Sequence, residues 1–250
     1  MNKKIFGVLI ACVSVLALTS CGGKNGKAAY ILDAEEYDKL TKEYNLSDYY
    51  EGMAVITKTN NSDYTTYYGY ANAKGEDVIK PTYLDAKRFS DGLAAVQEKV
   101  KSGDKEEYLW GYIDKKGKKV IECKYKSAGE FSDGVAVVVE GENTLFIDND
   151  GETIHTVAKV YTVDAKAKFY KGLVPASKEI DSKTLYGYLD EDGEEVIPFR
   201  YRNATNFDEL LAGYAVVELG GENYLINTKG EIVISADVED EIKEANKMYR

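Results

Sequence analysis

The feature that most constrains the fold is a segment that appears five times along the chain, at intervals of 38 to 42 residues. Each copy opens with a glycine and a short apolar run, and the opening glycines are Gly52, Gly92, Gly134, Gly172 and Gly213. A fixed period of this length is typical of repeat proteins, in which one unit cannot bury its apolar face alone and its neighbours must cover it. The sequence therefore predicts about five similar units in a row.

Each copy is predicted to form a three-stranded antiparallel meander. The clearest copy runs from Trp110 to Ile121 and reads Trp-Gly-Tyr-Ile-Asp-Lys-Lys-Gly-Lys-Lys-Val-Ile. Its second glycine suits the left-handed position of a hairpin turn, where a Cβ is disfavoured. The equivalent turn glycines are Gly75, Gly117, Gly151, Gly193 and Gly230, and the apolar column before them is Tyr70, Tyr112, Phe146, Tyr188 and Leu225.

The linkers between copies repeat as well. Each carries an aromatic residue three positions before an opening glycine or close to that place, namely Tyr49, Phe89, Phe131, Phe169 and Phe207. We expect these rings to fill the space between neighbouring units. The second residue after the opening glycine is Ala54, Ala94, Ala136, Val174 or Ala215, and small side chains there would allow one sheet to stack closely on the next.

These patterns predict an all-β fold of about five meanders. A propeller-like ring is favoured over an open β-solenoid, because radial repetition protects the edges of the sheets. The predicted boundaries are a lipoprotein signal peptide at 1–20, a flexible tether at 21–29, a β-repeat domain at 30–236 and a short charged helix or tail at 237–250. A short helix capped by Asp33 is expected between Asp33 and Tyr44.

The N-terminal residues are predicted to form an export signal. Lys3 and Lys4 precede an apolar run that is too short to span a bilayer and is typical of a secretory signal. The run ends in Leu18-Thr19-Ser20-Cys21, which looks like a bacterial lipobox. Lipidation of Cys21 would anchor the protein to a membrane at the extracytoplasmic side of a bacterial cell envelope. Ordinary cleavage, with Cys21 left unmodified, is the alternative.

The charge of the chain excludes several kinds of partner. The formal net charge is −11, and loss of residues 1–20 with their two lysines would bring it to −13. This acidity argues against nucleic acid as a partner and against electrostatic docking on anionic lipid. After processing and lipidation only Cys123 would remain as a free cysteine, so an internal disulfide or a cysteine-based metal cluster is not expected.

The repeated residues resemble those of the bacterial WG-repeat family. The named pair is kept as Trp110-Gly111, while Tyr68-Gly69 and Tyr186-Gly187 are close variants, and Leu145 and Tyr224 replace the glycine in the other two copies. The resemblance extends over about Gly52 to Ile234. It implies a β-rich repeat domain, often on exported bacterial proteins, with a binding or scaffolding role and no agreed catalytic residues.

Three further features could indicate metal binding or catalysis: two acidic turns, the histidine and a free cysteine. The acidic turns Asp148–Glu152 and Asp190–Glu194 superficially resemble calcium loops, but the equivalent Asp114-Lys-Lys-Gly turn favours a structural role. His155, the only histidine, replaces an isoleucine of the third-strand column and is expected to be a tolerated, partly buried side chain. Cys123 is expected to be a small apolar filler rather than a reactive thiol. We therefore expect no catalytic residues, no metal site and no cofactor.

Aromatic side chains are the remaining candidates for ligand contact. They are Tyr64, Tyr67, Tyr68, Tyr108, Trp110 and Tyr186. Aromatic faces in a repeated array can stack on sugars or anchor a protein partner, although packing between units is the favoured interpretation for Trp110 and its equivalents. The leading functional hypothesis is a protein-interaction or scaffold module that binds an envelope protein. A module for cell-wall or other glycan is the alternative, and an enzyme such as a glycoside hydrolase comes third.

Overall fold

A computed structural model of the chain describes residues 34–103, 105–208 and 213–233. These residues form one helix, α1 (Ala34–Glu43), and eighteen short strands arranged in five antiparallel sheets. The all-β repeat architecture predicted from the sequence is confirmed at this level, and α1 lies where a helix was expected. Cys21, the predicted signal peptide and the predicted tail at 237–250 lie outside the described residues.

Successive stretches of the chain build the sheets. The first contains β1 (Asn45–Tyr50), β2 (Met53–Thr59), β3 (Thr66–Asn72) and β4 (Ile79–Tyr83), and the second β5 (Asp85–Ala86), β6 (Leu93–Ser102), β7 (Lys105–Asp114) and β8 (Lys119–Tyr125). The third contains β9 (Ser127–Ala128), β10 (Ala136–Glu140), β11 (Asn143–Ile147) and β12 (Thr153–Thr156). The fourth contains β13 (Val174–Ile180), β14 (Lys183–Leu189) and β15 (Glu195–Tyr201), and the fifth β16 (Asn203–Ala204), β17 (Ala215–Leu219) and β18 (Glu222–Ile226).

The predicted meander is extended by a strand that the sequence pattern did not reveal. In the first, second, third and fifth sheets a strand formed by the residues before the meander, β1, β5, β9 or β16, pairs with the first long strand. In the fourth sheet a single bridge between Thr162 and Ser177 takes this place. Three of these added strands are only two residues long, which is too short to show the alternation by which a strand is recognised in a sequence.

The turn glycines have the predicted left-handed conformation, with φ between 73° and 84° at all five positions. The Asp or Asn that opens each turn adds a second constraint. Asp114 Oδ1, for example, accepts hydrogen bonds from the backbone N–H groups of Lys116 and Lys118, both at 2.9 Å. Asp148 and Asp190 make the same pair of bonds in their own turns. The carboxylates that resemble calcium ligands therefore close the turns, which agrees with the structural role favoured by the equivalent Asp114-Lys-Lys-Gly turn.

The glycine of the Trp-Gly pair has a separate structural cause. A Cβ placed on Gly111 would lie 2.5 Å from the carbonyl oxygen of Ile121 and 2.7 Å from the backbone nitrogen of Cys123. The pairing of β7 with β8 shifts register between Trp110 and Tyr112, so the two backbones approach unusually closely at this bulge. A larger residue could not occupy this position without moving the edge strand.

The core lies between successive sheets. In the three sheets that keep the column tyrosine, its hydroxyl donates to a linker carbonyl seventeen residues later: Tyr70 to Lys87, Tyr112 to Gly129 and Tyr188 to Thr205, at 2.7 to 2.9 Å. Each ring also packs on a linker phenylalanine with centroids 4.7 to 4.8 Å apart, in the pairs Tyr70–Phe89, Tyr112–Phe131 and Tyr188–Phe207. The four linker phenylalanines are at most 4% exposed, so their predicted role between units is confirmed.

The turn glycines also contact the preceding sheet. A Cβ on Gly117 would lie 3.2 Å from the side chain of Ile79, and one on Gly151 would lie 3.0 Å from that of Ile121. His155 occupies the isoleucine position of the third sheet and lies against Gly193 in the same way. Its partly buried ring also lies 5.8 Å from the ring of Phe146. His155 is thus partly buried and packs between the third and fourth sheets, as the partly buried position expected from the sequence requires.

Helix α1 covers the outer face of the first sheet. Leu40 and Tyr44, at the end of the helix, form a buried cluster with Ile56 and Ala71. The equivalent positions in the second sheet, Val96 and Ile113, pack against the first sheet instead. The helix therefore contacts the face that the repeat pattern would offer to a preceding sheet.

Candidate functional site

The six candidate aromatic residues fall into two groups. Tyr64 and Tyr108 are 83% and 57% exposed. Tyr67, Tyr68, Trp110 and Tyr186 are partly buried. Trp110 packs on the core between the second and third sheets, and Tyr186 packs on the core between the fourth and fifth. The structure therefore does not bring the six residues together as one binding surface.

Trp110 shares its surroundings with a lysine. The Lys87 ammonium lies 5.6 Å from the centroid of the indole ring, within the range of a cation–π interaction. Lys87 is partly buried, and burial lowers the pKa of its ammonium. The carboxylates of Glu130, Asp85 and Asp164 oppose this effect, whereas Lys166 adds to it. One face of Trp110 is thus occupied by a cation rather than open as a flat platform.

Tyr108 lies on an extension of the second sheet. The strands β6 and β7 are ten residues long, against five to seven for the central strands of the other sheets. Their outer halves, Glu98–Ser102 and Lys105–Leu109, pair with each other, and we call them the projecting ribbon. Within the described residues, β5 pairs with β6 only as far as Gln97, and β8 pairs with β7 only from Trp110 onward.

The projecting ribbon therefore has two free backbone edges. Lysines line it at Lys99, Lys101 and Lys105, which is a common protection of free strand edges against aggregation. Lys99 forms an ion pair with Glu106 across the ribbon. Tyr108 is the large apolar residue that this surface exposes. A free edge beside an exposed tyrosine can accept a strand from another protein and anchor one of its side chains.

A cleft of about 490 Å³ lies where the linkers before and after the fourth sheet meet. Its lining includes Asp164 and Lys166 from the first linker, Asn206 and Asp208 from the second, and the ring of Tyr186. Carboxylates, an amide and one aromatic ring are groups that could hydrogen-bond and stack on a small polar ligand. Of the residues predicted for ligand contact, Tyr186 alone lines this cleft.

An ion-pair ladder crosses the linkers. Glu130 Oε2 accepts hydrogen bonds from Arg88 Nε at 2.8 Å and Lys168 Nζ at 2.6 Å. The backbone N–H of Lys168 in turn donates to Asn206 Oδ1 at 2.8 Å. Burial would raise the pKa of Glu130, but Lys168 and Arg88 together hold it below its usual value. These residues precede the four linker phenylalanines, so the repeat places them in register. Their charges differ from copy to copy, and the sequence pattern therefore did not predict them.

The described residues that were candidates for catalysis or metal binding are either buried in the core or not grouped with suitable partners. Cys123 is buried, and burial raises the pKa of its thiol to about 12, so it remains protonated and unreactive at neutral pH. Among the described residues, no three His, Cys, Asp or Glu side chains are grouped as a metal site would require. In this part of the chain, no helix has the length and apolar character needed to cross a membrane.

Comparison with known proteins identifies the repeat. The model of the family described as "WG containing repeat" matches residues 68–99, 110–143 and 186–222. These segments include the three copies that keep a glycine after the aromatic residue. The sequence matches none of the curated proteins with which it was compared.

Similar solved structures add little to this assignment. A crystal structure described as the eukaryotic initiation factor has a TM-score of 0.48 and 7% identity, and the match covers 77% of this chain and 53% of the other. An acylaminoacyl peptidase of Pyrococcus horikoshii has a TM-score of 0.46 and 13% identity over 76% of this chain and 37% of the other. The chain thus spans about half or less of these proteins. What the comparisons establish is that it contains WG repeats at three places.

Proposed function

We propose that the chain is a protein-interaction module whose docking element is the projecting ribbon. The observation that carries this proposal is the pair of free edges on β6 and β7 beside the exposed ring of Tyr108. Backbone pairing would provide affinity, and the tyrosine would provide an anchor of the kind that dominates many interfaces. The stacked sheets would act as the rigid support of this element.

A glycan-binding module is the second candidate. The cleft lined by Tyr186, Asp164 and Asn206 favours it, since its polar groups and one ring suit a sugar. The position of Lys87 over Trp110 counts against a sugar-stacking role for that tryptophan. A glycoside hydrolase is a weaker alternative, which would require Asp164 and Asp208 to act as a catalytic pair in this cleft.

We further propose that the module is displayed on the bacterial cell envelope by a lipid on Cys21. The charged start, the apolar run and the Leu-Thr-Ser-Cys sequence support this proposal. The replacement Cys21→Ala should move the protein from the membrane fraction to the soluble extracytoplasmic fraction. Unchanged membrane association of this variant would contradict the lipid anchor.

The sheets could form either a closed ring or an open stack. A propeller-like ring, predicted from the sequence, would bring the first sheet against the fifth. The cover that Leu40 and Tyr44 provide on Ile56 and Ala71 supports the open alternative, because α1 occupies the face that a fifth sheet would need. Small-angle scattering of the full chain would separate the two arrangements by their maximum dimension.

A site-specific crosslinking experiment tests the proposed function. A photoreactive phenylalanine analogue replaces Tyr108 in the full chain, and the same analogue at Tyr64 is the matched control, since Tyr64 is an exposed tyrosine on a hairpin without a ribbon. We expect discrete protein adducts from position 108 and few from position 64. Equal labelling from both positions would contradict the ribbon as docking element. Retention on purified cell-wall polysaccharide that is lost in Tyr186→Ala would favour the glycan alternative.

A further inference from the structure

The linker of the fourth sheet does not make a hydrogen bond that three other linkers make to their sheets. In the second, third and fifth sheets, the backbone N–H two residues before the linker phenylalanine donates to the carbonyl three residues after the opening glycine, at 2.8 to 3.0 Å. The pairs are Lys87–Ala95, Gly129–Val137 and Thr205–Val216. In the fourth linker the equivalent N–H is that of Ala167, which donates to the carbonyl of Asp164 at 2.9 Å instead. The fourth sheet therefore keeps an acceptor that its own linker does not use.

The unused acceptor is the carbonyl of Pro175, in β13. Within the part of the chain that the structure describes, no linker N–H donates to it. Pro175 also has no N–H of its own, whereas Val216, at the equivalent place of the fifth sheet, donates to Thr205 Oγ1 at 3.0 Å. Pro175 and Ala167 both line the cleft between the linkers. Since the equivalent carbonyls point toward their linkers, that of Pro175 faces the cleft and needs a donor there.

The second sheet shows which chemical group suits the aromatic residue of this region. There the Lys87 ammonium lies 5.6 Å from the ring centroid of Trp110. The equivalent residues of the fourth sheet are Ala167 and Tyr186, and both line the cleft. A methyl group thus replaces the lysine side chain, and among the described residues no cation lies over the ring of Tyr186. The cleft therefore corresponds to the place that an ammonium takes in the second sheet.

Carboxylates outnumber cations in the lining of the cleft. Asp164 belongs to the linker before the fourth sheet and Asp208 to the linker after it, and Lys166 is the one cation among the described lining residues. The Oδ1 atom of Asp164 accepts from the backbone N–H of Lys166 at 2.7 Å and so closes the turn, while the side chain as a whole is exposed. Two carboxylates and one ammonium give the lining a negative formal charge, which favours a cationic ligand.

We propose that this cleft binds a linear aliphatic amine with two or more primary ammonium groups. One ammonium lies over the ring of Tyr186 and donates to the carbonyl of Pro175, and a second pairs with Asp164 or Asp208. The volume of about 490 Å³ is within the range of small-molecule sites. A neutral sugar would leave both carboxylates without a counter-charge, so the amine is favoured over it. This site is separate from the projecting ribbon and goes beyond the proposed docking function.

Calorimetric titration of the full-length chain tests the site. The ligands are cadaverine and spermidine, and 1,5-pentanediol is the uncharged control with the same carbon chain as cadaverine. We expect saturable binding of one amine per chain that weakens as salt is added, and no binding of the diol. Absence of saturable binding, or equal binding of cadaverine and the diol, would overturn the proposal. Binding of a neutral cell-wall oligosaccharide without binding of either amine would assign the cleft to a sugar and overturn it as well.

Variants of opposite expected sign locate the binding. Asp164→Asn keeps an Oδ1 atom for the turn but removes the charge, and should weaken cadaverine binding by about tenfold. Lys166→Met removes the like charge from the lining and should strengthen it by about threefold. The matched control is Asp192→Asn, an exposed carboxylate in the turn between β14 and β15, which should leave binding unchanged. Equal weakening in the two aspartate variants would show non-specific attraction to an acidic protein and refute the site, as would weakening in Lys166→Met.

Discussion

The two halves of the β6–β7 hairpin belong to one pair of strands and have opposite surroundings. In the inner half, Tyr112 and Ile113 are fully buried between sheets, and a third strand pairs with β7. In the outer half, Tyr108 is 57% exposed, and no third strand among the described residues pairs with it. The inner half repeats in every sheet, whereas strands of ten residues occur, in the part of the chain that the structure describes, in this sheet alone. We propose from this contrast that the repeat builds a support and that the projecting ribbon, which departs from the repeat, is the docking element.

The largest difference in the free energy of unfolding between the two halves should come from a pair of glycine variants. Gly111→Ala places a Cβ against the backbone of β8 and should destabilise the protein by about 3 kcal/mol. Gly103→Ala, at the tip of the hairpin, meets no atom within 4 Å but keeps a positive φ, and should cost about 1 kcal/mol. Urea unfolding measures both variants. Equal costs would mean that Gly111 is not constrained by the bulge.

Removal of a tyrosine hydroxyl should give a smaller difference in the free energy of unfolding between the inner and outer halves. Tyr112→Phe leaves the Gly129 carbonyl without its partner and should cost about 1 to 2 kcal/mol. Tyr108→Phe should change the free energy of unfolding by less than about 0.5 kcal/mol, as is usual at an exposed position. The third sheet, where Phe146 stands in the tyrosine column, shows that the ring alone is compatible with the fold. A loss of stability in Tyr108→Phe as large as that in Tyr112→Phe would contradict the predicted difference between the two halves.

The stability that the ion pairs of Glu130 contribute should depend on pH. The folded state holds the pKa of Glu130 below its ordinary value of 4.5, so its ion pairs stabilise the protein at neutral pH. This contribution should be lost as the pH falls below about 4.5 and through the lowered value. The difference in stability between the wild type and Glu130→Gln should therefore be largest near pH 7 and vanish in acid. A difference that is independent of pH would contradict this role.

The ion pair of the projecting ribbon should have the smallest effect. Lys99 and Glu106 are about half exposed, and such pairs contribute about 0.5 kcal/mol or less, which salt reduces further. Glu106→Gln should therefore leave the urea midpoint almost unchanged. A loss comparable to that in Glu130→Gln would show that the ribbon is part of the cooperative core.

The sequence was informative where a residue repeats. The turn glycines, the buried tyrosine and phenylalanine columns and the small residues between sheets were all predicted from their period, because each has the same contact in several copies. The added strands such as β5 were missed, since two residues carry no alternation. The ion-pair ladder of Arg88, Glu130 and Lys168 was missed because these positions, which are equivalent in the repeat, carry charges of different sign.

The most direct test removes the projecting ribbon and keeps the repeat. Residues 99–108 are replaced by an Asn-Gly dipeptide, which joins Glu98 to Leu109 as a tight hairpin turn; these two residues already lie opposite each other. Urea unfolding of the shortened chain is then measured, and crosslinking from a photoreactive group at Trp110 is compared between the shortened and the intact chain. We expect an unfolding midpoint close to that of the wild type and loss of the protein adducts. A collapsed midpoint, or adducts that persist, would contradict the division between support and docking element.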